Sequence, residues 1–296
     1  MRLAGKMSQL IKYFFSGLLR RYRNLSRYIR LGLLDITADS SVLIYTRGKV
    51  GSRTIAESIA APGLDIHVLS THSLSLKRIS EIDAYWISQT GKPHPETVFN
   101  KLLRKKVLRA IETGKKLHVI TAVRDGISTH LSGFFHNARA LHPEIYIDDA
   151  SIDVDKAVQM LTHRLSIGEA IRDDFSNWFD AEIKEVFGVD VFDYPFDRER
   201  GFAIIDHPKI KLLILRTDRL GDVLTDALYQ FMGVRIIHKG ANTARNKAYG
   251  AAYGEMKNKL VLPEALCQKI YSNRFSRHFF SEREREELIA RYSQNA

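Results

Sequence analysis

Leu117-His-Val-Ile-Thr-Ala-Val123 runs for seven residues without Asp, Glu, Lys or Arg and stops at Arg124-Asp-Gly126. An apolar, β-branched run of that length, bounded by polar residues and glycine, suits a strand buried on both faces. Ile127–Arg139 follows with helical spacing. The same strand-then-helix order recurs on either side. Ser41-Val-Leu-Ile-Tyr45 reads as a buried strand, Thr46–Thr54 as a glycine-containing turn, and Ile55–Ala61 as a helix stopped by Pro62-Gly63. Ile66–Leu69 is a second strand, and Val98–Glu112 a helix ended by Gly114. Residues 154–187 read as largely helical up to Gly188, Lys211–Leu215 as a further buried strand, and Val223–Phe231, Leu266–Tyr271 and Glu282–Tyr292 as helices. This alternation predicts an α/β fold with a parallel sheet covered on both faces. Residues 73–97 and 137–155 are left as loops that shape a substrate pocket.

The chain of 296 residues is 45% hydrophobic and 27% charged, which fits a globular domain with a sizeable core. No apolar run reaches the ~18 residues of a membrane-spanning helix. The single cysteine, Cys267, excludes an internal disulfide and any multi-thiolate zinc site. Net charge is +11, but residues 1–34 hold eight of the 45 basic side chains and no acidic one. The remainder is close to balanced, which argues against nucleic acid as a partner of the body.

Within that arm, apolar residues fall at Ile11, Phe15, Leu18, Tyr22, Leu25, Ile29 and Leu33, every step three or four residues. That is one face of a helix, with arginines over much of the rest. The expected division is a basic amphipathic arm over 1–36 and an α/β domain over 37–296. Three fates fit the arm: packing on the body or on a second copy in a homo-oligomer, lying on an anionic membrane through residues 7–33, or removal as a targeting segment. The expected location is cytoplasmic, peripheral on the inner face of a membrane.

Two loops carry the chemistry. Tyr45-Thr-Arg-Gly-Lys-Val-Gly-Ser-Arg-Thr54 lies between a strand and a helix, where backbone N–H groups at a helix start favour an anion. Gly48 and Gly51 permit close approach, Lys49 can reach a bound group, and Ser52 and Thr54 add hydroxyls. A plain glycine-containing turn is the alternative. The loop is not a Walker A motif, whose lysine follows the second glycine; Lys49 precedes Gly51. The second loop is Val123-Arg-Asp-Gly-Ile-Ser-Thr-His-Leu-Ser-Gly-Phe-Phe135. Arg124 sits at the carboxyl edge of the expected sheet, where open α/β folds bind ligands. Ser132 lies about two turns along the next helix. A forked guanidinium and a hydroxyl suit a phosphate.

With both loops in view, the chain resembles the sulfotransferases that use 3′-phosphoadenosine 5′-phosphosulfate (PAPS). Gly48-Lys49-Val50-Gly51-Ser52-Arg53-Thr54 is similar to their 5′-phosphosulfate loop, with Gly48 in place of the usual proline. Arg124 and Ser132 match their strand-ending arginine and the serine eight residues on. A fuller resemblance, over about residues 41–292, is to the NKWYS group of capsular polysaccharide synthesis proteins. It rests on Lys49–Ser52, on Trp178-Phe179-Asp180 with Gly188–Val191, and on His278-Phe279-Phe280-Ser281. The resemblance implies a P-loop-type, sulfotransferase-like parallel sheet flanked by helices, preceded by the amphipathic helix.

It also implies roles. Lys49 would meet the negative charge that grows on the oxygen bridging sulfur to the departing phosphate. Backbone amides across Val50, Gly51, Ser52, Arg53 and Thr54 would hold the 5′-phosphate; Arg124 and Ser132 would hold the 3′-phosphate. PAPS would be the co-substrate, without a metal. Among eleven histidines, His72 in Thr71-His72-Ser73-Leu74 is placed best for a base taking the acceptor proton, being similar to the Thr-His-Leu segment of cytosolic sulfotransferases. A structural strand-end histidine is the alternative, and some carbohydrate sulfotransferases use a glutamate instead. His130 and His136 read as helix-surface residues and His278 as a packed one. The polar loop carrying Lys239, Asn242 and Arg245 would return to the nucleotide, grip an acidic acceptor, or stay solvated. The expected activity is sulfuryl transfer from PAPS to a hydroxyl of a carbohydrate or glycolipid. A capsule-polymer glycosyltransferase, a P-loop kinase and a non-catalytic membrane-attached scaffold are the rivals.

The arm generates a direct prediction. Intact protein should co-sediment with anionic liposomes and a variant lacking residues 1–34 should not. Equal, negligible binding of both contradicts a membrane role.

Overall fold

The computed structural model describes residues 25–29, 31–60, 64–148, 151–167, 176–236 and 249–293. The chain divides between Ile36 and Thr37. On the N-terminal side, residues 25–29 and 31–33 are helical; the rest of the arm's expected helix lies outside the described residues. Among the described residues no helix is long and apolar enough to cross a membrane.

Residues after Ile36 form a mixed α/β fold on a five-stranded, mostly parallel sheet flanked by helices. The strands are β1 (Ser41–Tyr45), β2 (His67–Thr71), β3 (Leu117–Val123), β4 (Phe202–Asp206) and β5 (Ile210–Arg216), in spatial order β2-β1-β3-β5-β4. β1, β3 and β5 are almost wholly buried, which is why their sequences read as continuous apolar runs. β4 corrects the all-parallel expectation. It is an antiparallel edge strand, with Phe202 opposite Leu215 and Asp206 opposite Lys211. It is short, with Phe202 and Ile205 buried and the rest partly or fully exposed, so no buried-strand signal marks it.

Helix α1 (Ser52–Ile59) joins β1 to β2, and α2 (Leu76–Thr90) with α3 (Thr97–Glu112) joins β2 to β3. α4 (Gly126–Leu141) follows β3, then α5 (Val154–Ser166), and α6 (Leu220–Met232) follows β5. α7 (Gly250–Lys259), α8 (Glu264–Tyr271), α9 (Arg274–Phe279) and α10 (Glu282–Ser293) complete the chain. Residues 73–97, expected to be a loop, are largely α2. Ser75 caps it by accepting from the Arg78 amide, and Gly91 ends it at φ 69°. Only Ile79 of α2 is buried, with Ile82 and Trp86 half-buried on the same helical face, so the helix packs through a weakly covered stripe. As expected, the described residues of 154–187 are largely helical: α5, and a second segment that passes through a π turn at Phe179–Lys184 and ends at Gly188, φ 76°; residues 168–175 lie outside the described residues.

Side chains alternate across each strand. Val42, Ile44, Ile120, Ala122, Leu213 and Leu215 pack against Ile55 and Ile59 of α1 and Leu224, Ala227, Leu228 and Phe231 of α6. Ile127, Leu131, Phe134 and Phe135 of α4 belong to a second core, with α5, α7, α8 and α10. The chain therefore leaves β1 and β3, adjacent parallel strands, toward different cores. β2 lies on one side of β1 and β3 on the other. The carboxyl ends of β1 and β3 flank the point where the winding reverses, the place where open α/β sheets leave a crevice.

Gly51 closes the turn from β1 into α1. Its φ of 84° lies in the left-handed region, and a Cβ there would come within 2.9 Å of Leu220 Cδ1. Gly51→Ala should therefore lose about 1–2 kcal/mol of stability from backbone strain alone, read as a lower urea midpoint. An unchanged midpoint contradicts this account of the turn.

Candidate functional site

The first loop hangs from two fixed points. Thr217, just after β5, donates through Oγ1 to the Val50 carbonyl at 2.8 Å. Arg124, just after β3, donates through Nη1 to the Lys49 carbonyl at 3.2 Å. Lys49 itself is held at φ 71°, the one described non-glycine residue with positive φ. Such strain persists where surroundings over-determine it, and it concentrates at functional sites. The first hydrogen bond of α1 runs from the Ile55 amide to the Gly51 carbonyl at 3.1 Å. The amides of Gly51, Ser52, Arg53 and Thr54 therefore precede the helix's own bonding and carry its positive dipole end.

The side chains divide differently. Val50 is buried in the core shared with α1 and α6, so its apolar group is structural. Thr54 is also buried. Arg53 is exposed and pairs with Glu57 one turn on at 2.6 Å, so its guanidinium is committed to the outer face of α1. The Lys49 stem lies along α4: a Cβ built on Gly133 would be 3.9 Å from Lys49 Cγ. Ser132 is the residue before Gly133, on the same helix. Arg47, Val50, Val123, Arg124, Thr129, Trp178, Phe179 and Phe275 line a small pocket at this end of the sheet.

Arg124 has a second contact, from Nη2 to the Tyr253 hydroxyl at 3.4 Å. The next residue, Asp125, caps α4 by accepting from the Ser128 amide at 2.9 Å, and it also accepts from the Tyr271 hydroxyl at 3.0 Å. The Tyr292 hydroxyl lies 2.8 Å from Ser128 Oγ. Burial pushes the Tyr292 phenol up to about 12 and the Tyr271 phenol well above its usual value, so both stay neutral hydroxyls at ordinary pH. The strand-end arginine is thus set by the C-terminal helices as well as by the loop. At the end of β5, Arg216 is a contrasting cation. Burial opposes its charge, but Asp218 and Glu284, at 2.6 and 2.7 Å, hold its pKa above the usual guanidinium value. It ties α10 to the sheet.

His72 stands just beyond β2, exposed. Its Nδ1 lies 2.8 Å from the Thr46 carbonyl oxygen at the start of the first loop. Thr46 Oγ1 lies farther from Nδ1, at 3.4 Å, and can donate or accept; the carbonyl only accepts, so the shorter contact favours the Nδ1–H tautomer, with the ring lone pair on Nε2. That arrangement suits a base. Thr71 Oγ1 donates to Asn100 at 2.9 Å and fixes the strand end beside it.

No motif marks Glu182. It is fully buried in the π turn. Its carboxylate accepts from the Leu74 amide at 2.8 Å, the Ser75 amide at 2.9 Å, the Ser73 hydroxyl and the Tyr45 hydroxyl. Burial raises its pKa and the four donors pull it back, with a net rise. Tyr45 is pushed well above its usual range by burial and by Glu182, so it remains a donor. Trp178, four residues earlier, donates from Nε1 to the His72 carbonyl at 3.4 Å. The only sequence signal was an acid among Phe179, Ile183, Val186 and Phe187, an otherwise apolar face.

Lys49, His72 and Arg124 thus follow the carboxyl ends of β1, β2 and β3, and Ser132 lies on α4 next to Gly133, which approaches the Lys49 stem. Lys239, Asn242 and Arg245 lie outside the described residues. His278 packs edge-on against Phe192 and Phe279, and burial lowers its pKa. Among the described residues no three His, Cys, Asp or Glu side chains converge as a metal-binding group.

Comparison with known families gives one match. Residues 149–281 match the family model NKWYS, described as "Putative capsular polysaccharide synthesis protein". The matched stretch is less than half of the chain. It contains Trp178, Glu182, β4 and β5, and it excludes the Lys49 loop, His72, Arg124 and Ser132. No curated protein and no solved structure matches the chain.

Removing the Glu182 carboxylate orphans four donors. Glu182→Ala should lose about 3 kcal/mol or more, while Glu182→Gln, which can still accept from the amides and donate to Ser73, should lose less. The pH dependence has a defined sign. A folded pKa raised above the ordinary 4.5 means that the native state binds more protons, so the stability from this group falls as pH rises through that window. The advantage of wild type over Glu182→Gln in urea unfolding should shrink as pH rises above that value. A constant or growing advantage contradicts the assignment.

Proposed function

We propose that this protein is a PAPS-dependent sulfotransferase acting on a hydroxyl of a carbohydrate or glycolipid. The observation that carries the reading is the bond from Arg124 to the Lys49 carbonyl. It joins the two phosphate-type loops, 75 residues apart in the chain, at one crevice. Three features support a polyanion at this site. Gly51 supplies the bend and four N-terminal amides of α1 face the turn, while Arg47 and Arg124 line the adjoining pocket. The capsular polysaccharide description of the matched family supports a carbohydrate acceptor.

PAPS, when bound, supplies the sulfuryl group and departs as the 3′,5′-bisphosphate. The amides of residues 51–54 would hold its 5′-phosphate, and Arg124 with Ser132 the 3′-phosphate. Lys49 would neutralise charge on the oxygen that leaves sulfur, an interaction stronger in the transition state than before it. His72, with its lone pair on Nε2, would take the acceptor's hydroxyl proton as that oxygen forms its bond to sulfur. Lys239, Asn242 and Arg245 would close over the nucleotide.

The family match also favours a second reading, a glycosyltransferase of polysaccharide synthesis. A thermal-shift panel separates the two, with ATP–Mg²⁺ as the kinase arm. PAPS and its desulfated product should raise Tm by about 5 °C at a hundredfold excess over Kd. Lys49→Ala and Arg124→Ala should weaken that binding about tenfold. A shift with a UDP-sugar and none with PAPS or its product overturns the proposal.

A further inference from the structure

We propose that Glu182 is the positioning residue for the His72 imidazole. This inference rests on the reading of His72 as the base, and it names the residue that holds that base in register. Two backbone segments define the ring. One is Thr46, whose carbonyl meets Nδ1 at 2.8 Å. The other is the stretch that carries His72 out of β2. Glu182 is bonded to both. On the Thr46 side it accepts from the hydroxyl of Tyr45, the preceding residue. On the far side it accepts from Ser73 Oγ and from the amides of Leu74 and Ser75, the three residues that follow His72. One carboxylate therefore fixes the spacing between the ring and the carbonyl that sets its tautomer.

The contact is long-range. Glu182 is more than a hundred residues away from each of its partners along the chain, so local turn chemistry does not account for it. It lies in a π turn, a helix defect that often marks functional positions. Trp178, at the entrance to that turn, adds a third tether through its indole N–H and the His72 carbonyl. Tyr45 packs edge-on against Trp178 and Phe187 at 5.2 and 6.1 Å, so the carboxylate is enclosed by rings. Glu182 is fully buried and contacts no substrate. Its role is to hold His72, and Ser73 and Tyr45 transmit that hold.

The test reads the imidazole itself and needs no nucleotide. Full-length protein with ¹⁵N-labelled histidine is examined by long-range ¹H–¹⁵N NMR at about pH 8, above the ordinary histidine pKa; His72→Asn assigns the signal. Wild type should show His72 as the Nδ1–H tautomer. Glu182→Asp keeps the charge but is one methylene too short to reach all four donors. It should shift the tautomer ratio toward Nε2–H roughly fivefold, the worth of one hydrogen bond, whereas Glu182→Gln should keep the wild-type ratio. Tyr45→Phe removes one donor without changing the ring volume. It should shift the ratio in the same direction, which keeps the test valid if Glu182→Asp fails to fold. Folded Glu182→Asp and Tyr45→Phe proteins with an unchanged His72 tautomer overturn the inference, as does Nε2–H in wild type. If PAPS fails to bind while the tautomer responds as expected, the activity is misassigned but the positioning role stands.

Discussion

The hydrogen bond from Arg124 to the Lys49 carbonyl sets a backbone that has little reason to hold itself. Lys49 adopts a left-handed φ and Gly51, two residues later, adopts another. For a residue with a Cβ that conformation is unfavourable, and only contacts from outside the loop keep it. Arg124 grips the carbonyl of Lys49 and Thr217 grips that of Val50. These anchors come from the ends of β3 and β5, so the loop is shaped by the neighbouring strands rather than by its own sequence. The result places the start of α1, the Lys49 side chain and a guanidinium around one crevice. Asp125, Tyr271 and Tyr292 extend the same logic outward, since they fix the turn that carries Arg124.

Glu182 plays the corresponding part on the other side of β1. A carboxylate removed from water is tolerated only with its lone pairs occupied. Here two amides and two hydroxyls occupy them. The arrangement joins the π turn, the end of β1 and the exit of β2. The NKWYS match covers the stretch that contributes Glu182 and Trp178, while the loops they brace lie outside it. The matched segment thus supplies Glu182 and Trp178, and the unmatched part of the domain supplies the groups they bond.

Much of the frame was legible from the residues. β1, β3 and β5 are buried on both faces and therefore read as plain apolar runs. α3 and α4 have clear stripes. The turns after β1 and β3 were legible because glycine, a helix start and a strand-ending arginine are local features. What escaped was set by distant contacts or by weak burial. α2 buries a single residue. β4 is a short, partly exposed edge strand next to Gly201. Glu182 stands in sequence as one acid on an otherwise apolar face, and its partners lie more than a hundred residues earlier. Tyr253 gave no signal, because its relation to Arg124 arises only when α7 packs on Phe135 of α4.

The crevice between β1 and β3 as a two-phosphate site is the centre of this account. A crystal structure with adenosine 3′,5′-bisphosphate, the desulfated product, tests it most directly. The account predicts the 5′-phosphate on the amides of residues 51–54 beside Lys49, and the 3′-phosphate on Arg124 and Ser132. Phosphates bound away from these residues, or crystals that never take up the nucleotide at saturating concentration, contradict it.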